Sequence, residues 1–187
     1  MRIISGQFKG KKIKEPKDKN TRPLKDLTKE SIFNIIQHSN ILNLNLKNSE
    51  ILDLFSGVGS FGLEALSRNA SFVTFVENYS DVIKILKENI NNLDLSQKSK
   101  IIEKNILDDF DFFKLDKKYD LIFIDPPFKE KKLKSLLLNI YKSKILKSDG
   151  VLIIHRSSKD PDAFPIEINI LENKIYGKSR ILFCKFN

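Results

Sequence analysis

The sequence predicts an α/β fold with a mostly parallel, seven-stranded sheet that ends in an antiparallel C-terminal hairpin. From residue 50 onward, short apolar runs alternate with amphipathic stretches of helical period, which is the pattern of strand–helix units. The apolar runs are nearly continuous, as expected of strands that are covered on both faces. The last two runs have no helix between them and meet at Tyr176-Gly177, so they should pair antiparallel.

The first part of the chain differs from the rest and is predicted to be a small basic extension, residues 1–40, ahead of a main domain at 41–187. Apolar and basic residues alternate around Lys9-Gly10, which predicts a short hairpin. A helix should follow at about 26–38, because apolar residues recur there on one helical face.

The main domain is predicted to be a series of strands joined by helices, with right-handed crossovers between the parallel strands. The predicted helices lie at about 60–68, 80–93 and 130–146. The predicted strands, in chain order, lie at 51–55, 72–76, 101–102, 121–125, 151–154, 166–175 and 180–186.

The composition fits a globular protein and excludes several other classes. The chain has 187 residues, of which 41% are hydrophobic and 30% charged, so it is neither a disordered chain nor a fibre. Its start lacks the apolar core of a secretory signal, and no apolar run reaches the roughly 20 residues that span a bilayer. The single cysteine, Cys184, excludes an internal disulfide and a multi-cysteine metal site. We therefore expect a soluble cytoplasmic protein without a metal.

The positive charge is concentrated near the start of the chain. The chain carries 33 basic and 24 acidic residues, a net charge of +9. Residues 1–25 hold nine basic and two acidic residues, so they contribute +7 and the other 162 residues only +2. Such a distribution is typical of a surface that binds a polyanion, although a solvated tail without a partner would have the same pattern. The candidate phosphate contacts are Arg2, Lys9, Lys11, Lys12 and Arg22.

A glycine-rich turn follows the first predicted strand of the main domain. Residues 53–62 contain G-x-G-x-x-G between a strand and a helix, where glycines permit a tight turn and a close approach of the backbone to a ligand. Glu77 lies twenty residues after Gly57, at the end of the second strand, where a carboxylate can accept hydrogen bonds from two ribose hydroxyls. A plain turn with a surface glutamate is the alternative, but the combination favours nucleoside binding.

The residues around this turn favour S-adenosylmethionine over a dinucleotide. A dinucleotide places its pyrophosphate at the helix N-terminus, whereas the Asp53 carboxylate suits a cation. S-adenosylmethionine carries an ammonium and a sulfonium but no phosphate. Asn105 and Asp108 follow the third strand, where an adenine amino group could be bound, although loop capping would explain them equally well. The predicted cofactor contacts are Asp53, Phe55, Gly57, Gly59, Gly62, Glu77, Asn105, Ile106 and Asp125.

The fourth strand ends in Asp125-Pro126-Pro127-Phe128, the most specific motif in the chain. In an open α/β sheet, ligands bind at the carboxyl ends of the strands. Two prolines remove two N–H donors and stiffen the turn, which leaves the Asp125 carboxylate and backbone carbonyls, notably that of Pro126, as acceptors. Such acceptors suit an amino group that attacks an electrophile, and the Phe128 ring can stack on a planar base. These four are the candidate catalytic residues; a proline-containing turn without a function is the alternative.

Neither histidine, His38 or His155, has an evident partner in the sequence, so both are interpreted as structural.

This motif resembles the [Asn/Asp]-Pro-Pro-[Tyr/Phe] motif of methyltransferases that modify exocyclic amino groups of nucleobases. Nearly the whole chain is similar to the RsmD family, whose members methylate the N2 amine of a guanine in 16S ribosomal RNA. One difference is His155-Arg156, predicted to follow the fifth strand, where the family often carries an acidic residue. The segments that carry the resemblance are RIISGQFKGKK at 2–12, TRP at 21–23, KESIFNI at 29–35, DLFSGVGSFGLEALSR at 53–68 and YG at 176–177.

The resemblance implies a Rossmann-like, S-adenosylmethionine-dependent methyltransferase fold, with the cofactor on the glycine-rich turn, Glu77 on its ribose and Asn105 near its adenine. It also implies that Phe128 stacks on a flipped guanine while Asp125 and the Pro126 carbonyl accept hydrogen bonds from its amine. The implied partner is 16S ribosomal RNA, either naked or within the small ribosomal subunit. Three alternatives stay open: a methyltransferase of DNA amines (adenine N6 or cytosine N4), a nicotinamide-dependent oxidoreductase, and a non-catalytic RNA-binding factor for ribosome assembly.

Overall fold

The structure, a computed structural model, describes residues 1–16, 24–108, 110–128, 130–160 and 163–187. The candidate phosphate contact Arg22 lies outside these ranges. Within them, no helix is both long enough and apolar enough to cross a bilayer.

The described residues form a seven-stranded sheet with α-helices on both faces, which confirms the predicted fold class. The strands are β1 Glu50–Leu54, β2 Phe72–Glu77, β3 Ser99–Glu103, β4 Tyr119–Ile124, β5 Leu146–Ser157, β6 Ile168–Tyr176 and β7 Ser179–Phe186. The helices are α1 Asp26–His38, α2 Ser60–Ser67, α3 Ser80–Asn92 and α4 Leu133–Ser143, the last shorter than predicted at both ends. In space the strands run β3-β2-β1-β4-β5-β7-β6, parallel up to β5, while β7 is antiparallel to both β5 and β6.

Side chains alternate between the two faces of the sheet, so each central strand contributes to two hydrophobic cores. In β4, Leu121 and Phe123 belong to one core, and Ile122 and Ile124 belong to the other. The first core packs against α1, α2, α3 and residues 1–16, which we call the N-terminal segment. The second core packs against α4. Because both faces are covered, the strands need the nearly continuous apolar runs seen in the sequence.

Strand β5 is longer than predicted, and this changes the position of two residues. The prediction ended the strand at Ile154 and put His155 and Arg156 beyond it. Both lie inside β5, because β7 pairs with them, His155 opposite Ile181 and Arg156 opposite Arg180. The prediction was wrong here because two consecutive polar residues end the apolar run from which the strand was recognised.

The N-terminal segment folds back on itself and packs against α2. Arg2 pairs with Lys12 in an antiparallel bridge, in the region of the predicted hairpin. The buried carboxylate of Glu64 on α2 accepts hydrogen bonds from the backbone N–H groups of Ile4, at 2.7 Å, and Ser5, at 3.0 Å. The segment also shares the first core with the strands, and the predicted domain boundary stays a prediction.

Lys29 of α1 is fully buried where the N-terminal segment, α1 and α2 meet. Its Nζ donates to the Arg2 carbonyl at 2.8 Å and to the Ser60 hydroxyl at 3.2 Å. Burial lowers the pKa of Lys29, and the nearby carboxylates of Glu64 and Asp26 oppose that shift. A buried ammonium with these partners ties the start of the chain to the first turn of α2.

Gly6 lies against the end of α2 with no room for a side chain. Replacing Gly6 therefore tests the contact between the N-terminal segment and α2. Gly6 has φ +83°, and a Cβ there would lie 1.9 Å from the Ser67 carbonyl oxygen. We expect Gly6→Ala to lower the free energy of unfolding by about 1–3 kcal/mol through strain and a clash with backbone. Chemical denaturation measures this, with Gly10→Ala as the matched control, since Gly10 has φ +84° and open space around it. Equal destabilisation of the two variants would contradict the assigned contact.

Candidate active site

A cavity lies at the carboxyl edge of the sheet, where the chain leaves β1 and β4. The empty space within it is about 440 Å³ when its open, solvent-filled mouth is included. Asp53 and Gly57 line it from the β1 side, and Asp125 lines it from the β4 side. The cavity therefore brings Asp125, the first residue of the 125–128 motif, together with the glycine-rich turn, whereas the other three residues of that motif are not part of its lining. Its full lining is Met1, Pro16, Leu24, Asp53, Phe55, Ser56, Gly57, Val58, Ser60, Phe61, Phe123 and Asp125.

Asp53 is a buried carboxylate at the floor of this cavity, with 1% of its surface exposed. Its Oδ2 accepts a hydrogen bond from the Gly62 N–H at 3.0 Å. Burial raises the pKa of Asp53 well above its usual value, the hydrogen bond from Gly62 opposes the shift, and the negative charges of Asp125 and Glu77 add to it. A cation bound beside Asp53 would offset the cost of this buried charge.

The glycine-rich turn leaves its backbone open to the cavity at one position. Gly57 has φ +54°, and a Cβ built there would meet no atom within 4 Å, so a ligand can approach the backbone. Phe55 also adopts a left-handed conformation, with φ +59°, which is strained for a residue with a side chain. Gly59 precedes α2 as its N-cap, and Gly62 packs against the Phe75 ring, so these two glycines serve the turn and the helix–sheet contact.

Glu77 lies at the end of β2 and is hydrogen-bonded to the glycine-rich turn. Its Oε2 accepts from the Gly57 N–H at 2.8 Å, and its Oε1 accepts from the N–H groups of Asn78 and Tyr79. A carboxylate has about four acceptor sites, so the free protein already uses three of them. Binding of two ribose hydroxyls would therefore require Glu77 to release one of these backbone bonds.

The predicted adenine contacts lie in the loop after β3 and do not line the cavity described above. The Asn105 side chain donates to Asp108 Oδ2 at 2.8 Å and accepts from the Leu107 N–H at 3.1 Å. Ile106 is buried in the second core. In the free protein these residues make the loop-capping contacts that the sequence left open as an alternative, and their role toward a cofactor stays a prediction.

The candidate catalytic motif forms a loop at residues 125–128, directly after β4. Asp125 is 20% exposed and Phe128 is partly exposed, whereas Pro126 is buried and Pro127 lies at the surface. Among the described residues, none donates a hydrogen bond to the Pro126 carbonyl. The Pro127 carbonyl, in contrast, accepts from the Glu130 N–H at 2.9 Å.

Two residues of β5 contact this loop, and the sequence interpretation missed both of them. His155 was interpreted as having no evident partner, which is wrong, because its Nδ1 lies 2.8 Å from Asp125 Oδ1. The Arg156 guanidinium donates to the Pro127 carbonyl at 3.2 Å. The signals in the sequence were their position near the carboxyl end of a predicted strand, where ligands bind, and their difference from the acidic residue that the family often carries there. His38, the other histidine, is exposed at the end of α1.

The candidate phosphate contacts of the N-terminal segment are all exposed where they are described. Arg2, Lys9, Lys11 and Lys12 form no ion pair with any described residue, and the Lys11 Nζ lies 5.9 Å from the Phe8 ring centroid. The same segment lines the cavity through Met1, Pro16 and Leu24, a contribution that the sequence pattern did not predict. A basic surface and a wall of the cavity thus come from one stretch of chain.

Two further features bear on reactive or metal-binding chemistry: the cysteine thiol and clusters of metal-ligating side chains. Cys184 is buried in β7, and burial raises the pKa of its thiol to about 12. No group of three or more metal-ligating side chains occurs in the parts of the chain that the structure describes.

The lining of the cavity fits S-adenosylmethionine. Burial disfavours the ionised form of Asp53, and the ammonium or sulfonium of the donor would favour it. The open backbone at Gly57 admits a ligand, and Phe55 and Phe61 provide apolar surface beside it. A pyrophosphate, in contrast, would bring further negative charge close to Asp53.

Sequence comparison finds methyltransferases among the known proteins that are similar to this chain. A family model described as "Conserved hypothetical protein 95" matches residues 1–185. Ribosomal RNA small subunit methyltransferase D of Haemophilus influenzae is 30% identical over 178 residues, which cover 95% of this chain and 89% of that protein. The Buchnera aphidicola (subsp. Baizongia pistaciae) protein of the same name is 34% identical over 158 residues, covering 84% and 76%.

Solved structures show the same fold. An Escherichia coli protein named only provisionally as the methyltransferase yhhF superposes with a TM-score of 0.83 at 23% identity, covering 100% of this chain and 98% of that chain. TrmN from Thermus thermophilus gives a TM-score of 0.66 at 16% identity, covering 86% of this chain and 48% of that one. At these identities the likeness establishes the Rossmann-like methyltransferase fold alone. Together with the match over residues 1–185, it confirms the resemblance found in the sequence: the chain belongs to the Conserved hypothetical protein 95 family, the RsmD family of methyltransferases.

Proposed function

We propose that the protein transfers a methyl group from S-adenosylmethionine to the exocyclic N2 amine of one guanine in 16S ribosomal RNA. The observation that carries the proposal is the single cavity in which Asp125, at the start of the 125–128 loop, lies with Asp53 and Gly57. This arrangement supports the proposal, because the Asp125 carboxylate could accept from an amine beside a cationic donor bound near Asp53. The names of the relatives support ribosomal RNA as the substrate class.

The cofactor would be held by the loop after β1 and the end of β2. Asp53 would pair with its positive charge, the Gly57 backbone would lie against it, and Glu77 would accept from its ribose hydroxyls. When bound, S-adenosylmethionine supplies a methyl group whose bond to sulfur breaks, with its electron pair left on sulfur, as the amine nitrogen bonds to the methyl carbon. Asn105 and Ile106 would approach the adenine.

The 125–128 loop would prepare the amine for attack. The lone pair of a guanine amine is delocalised into the ring, so the nitrogen is a weak nucleophile. Asp125 and the Pro126 carbonyl would accept its two N–H bonds, which favours a pyramidal nitrogen and stabilises the positive charge that develops on it. After methylation the cationic nitrogen is acidic and loses one proton to solvent water, so Asp125 acts as a hydrogen-bond acceptor and not as a strong general base.

The target guanine would leave its stack to reach this loop, at a cost of a few kcal/mol. Phe128 is partly exposed beside the loop, and stacking of the base on its ring returns about 1–3 kcal/mol. Pro127 keeps the turn rigid, so that the ring and the acceptors stay in fixed relation.

The basic N-terminal segment would bind the RNA backbone. Phosphate contacts orient the substrate without specifying its sequence, so recognition of one guanine would depend on RNA shape, either in naked 16S RNA or in the small subunit. This function also implies a cytoplasmic location, where ribosomal subunits mature.

Removing three of these cations should weaken RNA binding and its salt dependence together. The combined variant Lys9→Gln, Lys11→Gln and Lys12→Gln should flatten the slope of log K against log salt concentration by roughly 0.7–0.9 for each phosphate that is no longer neutralised. Filter binding between low and moderate salt measures this slope. The matched control replaces Lys47, Lys98 and Lys118, three exposed lysines near the amino ends of the strands, by glutamine. A slope that changes equally in both triple variants would contradict an N-terminal RNA surface.

Mapping of the transferred methyl group tests the proposed function. The protein is incubated with labelled S-adenosylmethionine and with either stripped 16S RNA or small subunits from cells that lack this chain, and the RNA is digested to nucleosides. We expect label in N2-methylguanosine at one position. Label in DNA adenine or cytosine would favour the DNA alternative, reduction or oxidation of a nicotinamide cofactor would favour an oxidoreductase, and RNA binding without any label would favour an assembly factor.

A further inference from the structure

Two consecutive residues of β5 hold the 125–128 loop from opposite faces of the sheet. The parallel register places Ile124 of β4 beside Ile154 of β5, so the next residues, Asp125 and His155, are neighbours on one face. The following residue of β5, Arg156, points to the other face. His155 is 4% exposed and Arg156 is 2% exposed, so both contacts are removed from solvent.

The contact between His155 and Asp125 fixes both the tautomer of the imidazole and the orientation of the carboxylate. An ionised carboxylate can only accept, so the hydrogen between Asp125 Oδ1 and His155 Nδ1, which are 2.8 Å apart, belongs to the histidine. His155 Nε2 is buried and has no hydrogen-bond partner among the described residues. A hydrogen on Nε2 would be a buried donor without an acceptor, so the geometry favours the tautomer that carries its hydrogen on Nδ1.

The Arg156 guanidinium donates hydrogen bonds to three backbone carbonyls in and next to the 125–128 loop. Its Nη1 donates to the Pro127 carbonyl at 3.2 Å, and its Nη2 donates to the carbonyls of Phe128 at 3.4 Å and Glu130 at 3.3 Å. The Asp160 carboxylate, 3.3 Å from Nη2, balances the charge. These three carbonyls are therefore directed to the guanidinium and not to the cavity.

We propose that His155 and Arg156 are positioning residues that determine which acceptors meet the target amine; this rests on the proposed function. His155 occupies Asp125 Oδ1 and leaves Oδ2 for the substrate. Arg156 occupies the Pro127 and Phe128 carbonyls and leaves that of Pro126. An exocyclic amine has two N–H bonds, and the two remaining acceptors match that number. Neither residue touches the reacting atoms; each acts through the loop.

Steady-state kinetics on small subunits test the His155 contact. His155→Leu should lower kcat roughly 10- to 100-fold through misplacement of Asp125, while the KM for the subunits and the Kd for S-adenosylmethionine change less than about threefold. His155→Asn should restore most of kcat, because its amide N–H can take the place of Nδ1–H. A rise in KM without a fall in kcat would overturn the His155 assignment. So would a folded His155→Asn variant whose kcat is no higher than that of His155→Leu.

Arg180, which pairs with Arg156 on the neighbouring strand β7, provides a matched control for a substitution of Arg156. Arg156→Lys keeps the charge but loses the planar fork that reaches several carbonyls, and it should lower kcat about tenfold. Arg180, opposite on β7, contacts the Asp160 carbonyl at 3.4 Å, and Arg180→Lys should leave kcat unchanged. Equal effects of the two substitutions would overturn the Arg156 assignment.

The imidazole can also be observed without catalysis, since the chain has only two histidines. Long-range ¹H–¹⁵N spectra of the apo protein should show one imidazole in the Nδ1–H tautomer, unchanged in His38→Asn and altered in Asp125→Ala. A spectrum insensitive to Asp125 would overturn the inference. If the wild type methylates no RNA, the proposed function fails and the acceptor selection fails with it; if the wild type is active but His155→Leu retains full kcat, only the positioning inference fails.

Discussion

Asp125→Ala should lower methyl transfer roughly 10²- to 10³-fold, because it removes the side-chain acceptor from the loop that would hold the target amine. The remaining acceptor, the Pro126 carbonyl, can hold only one of the two N–H bonds. The measurement is single-turnover methylation of small subunits with labelled S-adenosylmethionine at saturating substrate. The effect should fall on the chemical step, and RNA affinity should change less than about threefold.

Two controls keep this result interpretable. Removal of the Asp125 charge should ease the burial of Asp53, but it also leaves the buried His155 Nδ1 without its acceptor, so thermal unfolding checks that the variant is folded. Asp125→Asn keeps one acceptor oxygen, which can accept from His155 Nδ1–H and preserve the loop, but it lacks the second acceptor, so it should also lower methyl transfer while remaining more stable than Asp125→Ala. If the alanine variant transferred methyl groups at the wild-type rate, the 125–128 loop would not be the amine site.

Asp53→Asn should weaken S-adenosylmethionine binding and at the same time stabilise the free protein at neutral pH. The asparagine oxygen can still accept from the Gly62 N–H, so the turn is preserved. The lost attraction to a cation should raise the Kd roughly 10- to 100-fold. Removal of a buried carboxylate with no bound cation should raise the free energy of unfolding by about 1 kcal/mol, or roughly 2–4 °C in Tm.

The pH dependence of this stability follows from the raised pKa of Asp53. Between the unfolded pKa, about 3.9, and the higher folded pKa, the native state holds a proton that the unfolded chain has lost. Stability contributed by Asp53 is therefore present below the unfolded pKa and is lost as pH rises through the folded pKa. The increase in the free energy of unfolding of Asp53→Asn over that of the wild type should be small near pH 4 and larger at pH 7.5.

Urea denaturation at these two pH values and titration calorimetry with S-adenosylmethionine measure the two effects. Calorimetry in buffers of different ionisation enthalpy should also detect proton release by the wild type when the cofactor binds at mildly acidic pH, since the cation favours ionised Asp53. Asp53→Asn should lack that release. Unchanged cofactor affinity in Asp53→Asn would show that the cation lies elsewhere.

The sequence by itself determined the architecture and the two central motifs, because these depend on local patterns. Continuous apolar runs identified the buried strands, and the antiparallel pairing of β6 with β7 followed from a glycine turn without an intervening helix. Asp53 and Asp125 each follow a strand of a parallel sheet, and the carboxyl ends of such strands share one edge. This agrees with the prediction that both carboxylates contact the cofactor, and the structure places both in the lining of one cavity.

Only the tertiary structure decided which other residues contact the motifs. His155 lies 30 positions after Asp125 and meets it because of the register between β4 and β5, which no periodicity in the sequence encodes. The burial of Lys29 and the contribution of Met1 to the cavity likewise depend on how the N-terminal segment packs on α2. Local patterns specify which face of an element is apolar, whereas register and packing specify which polar side chains meet across elements.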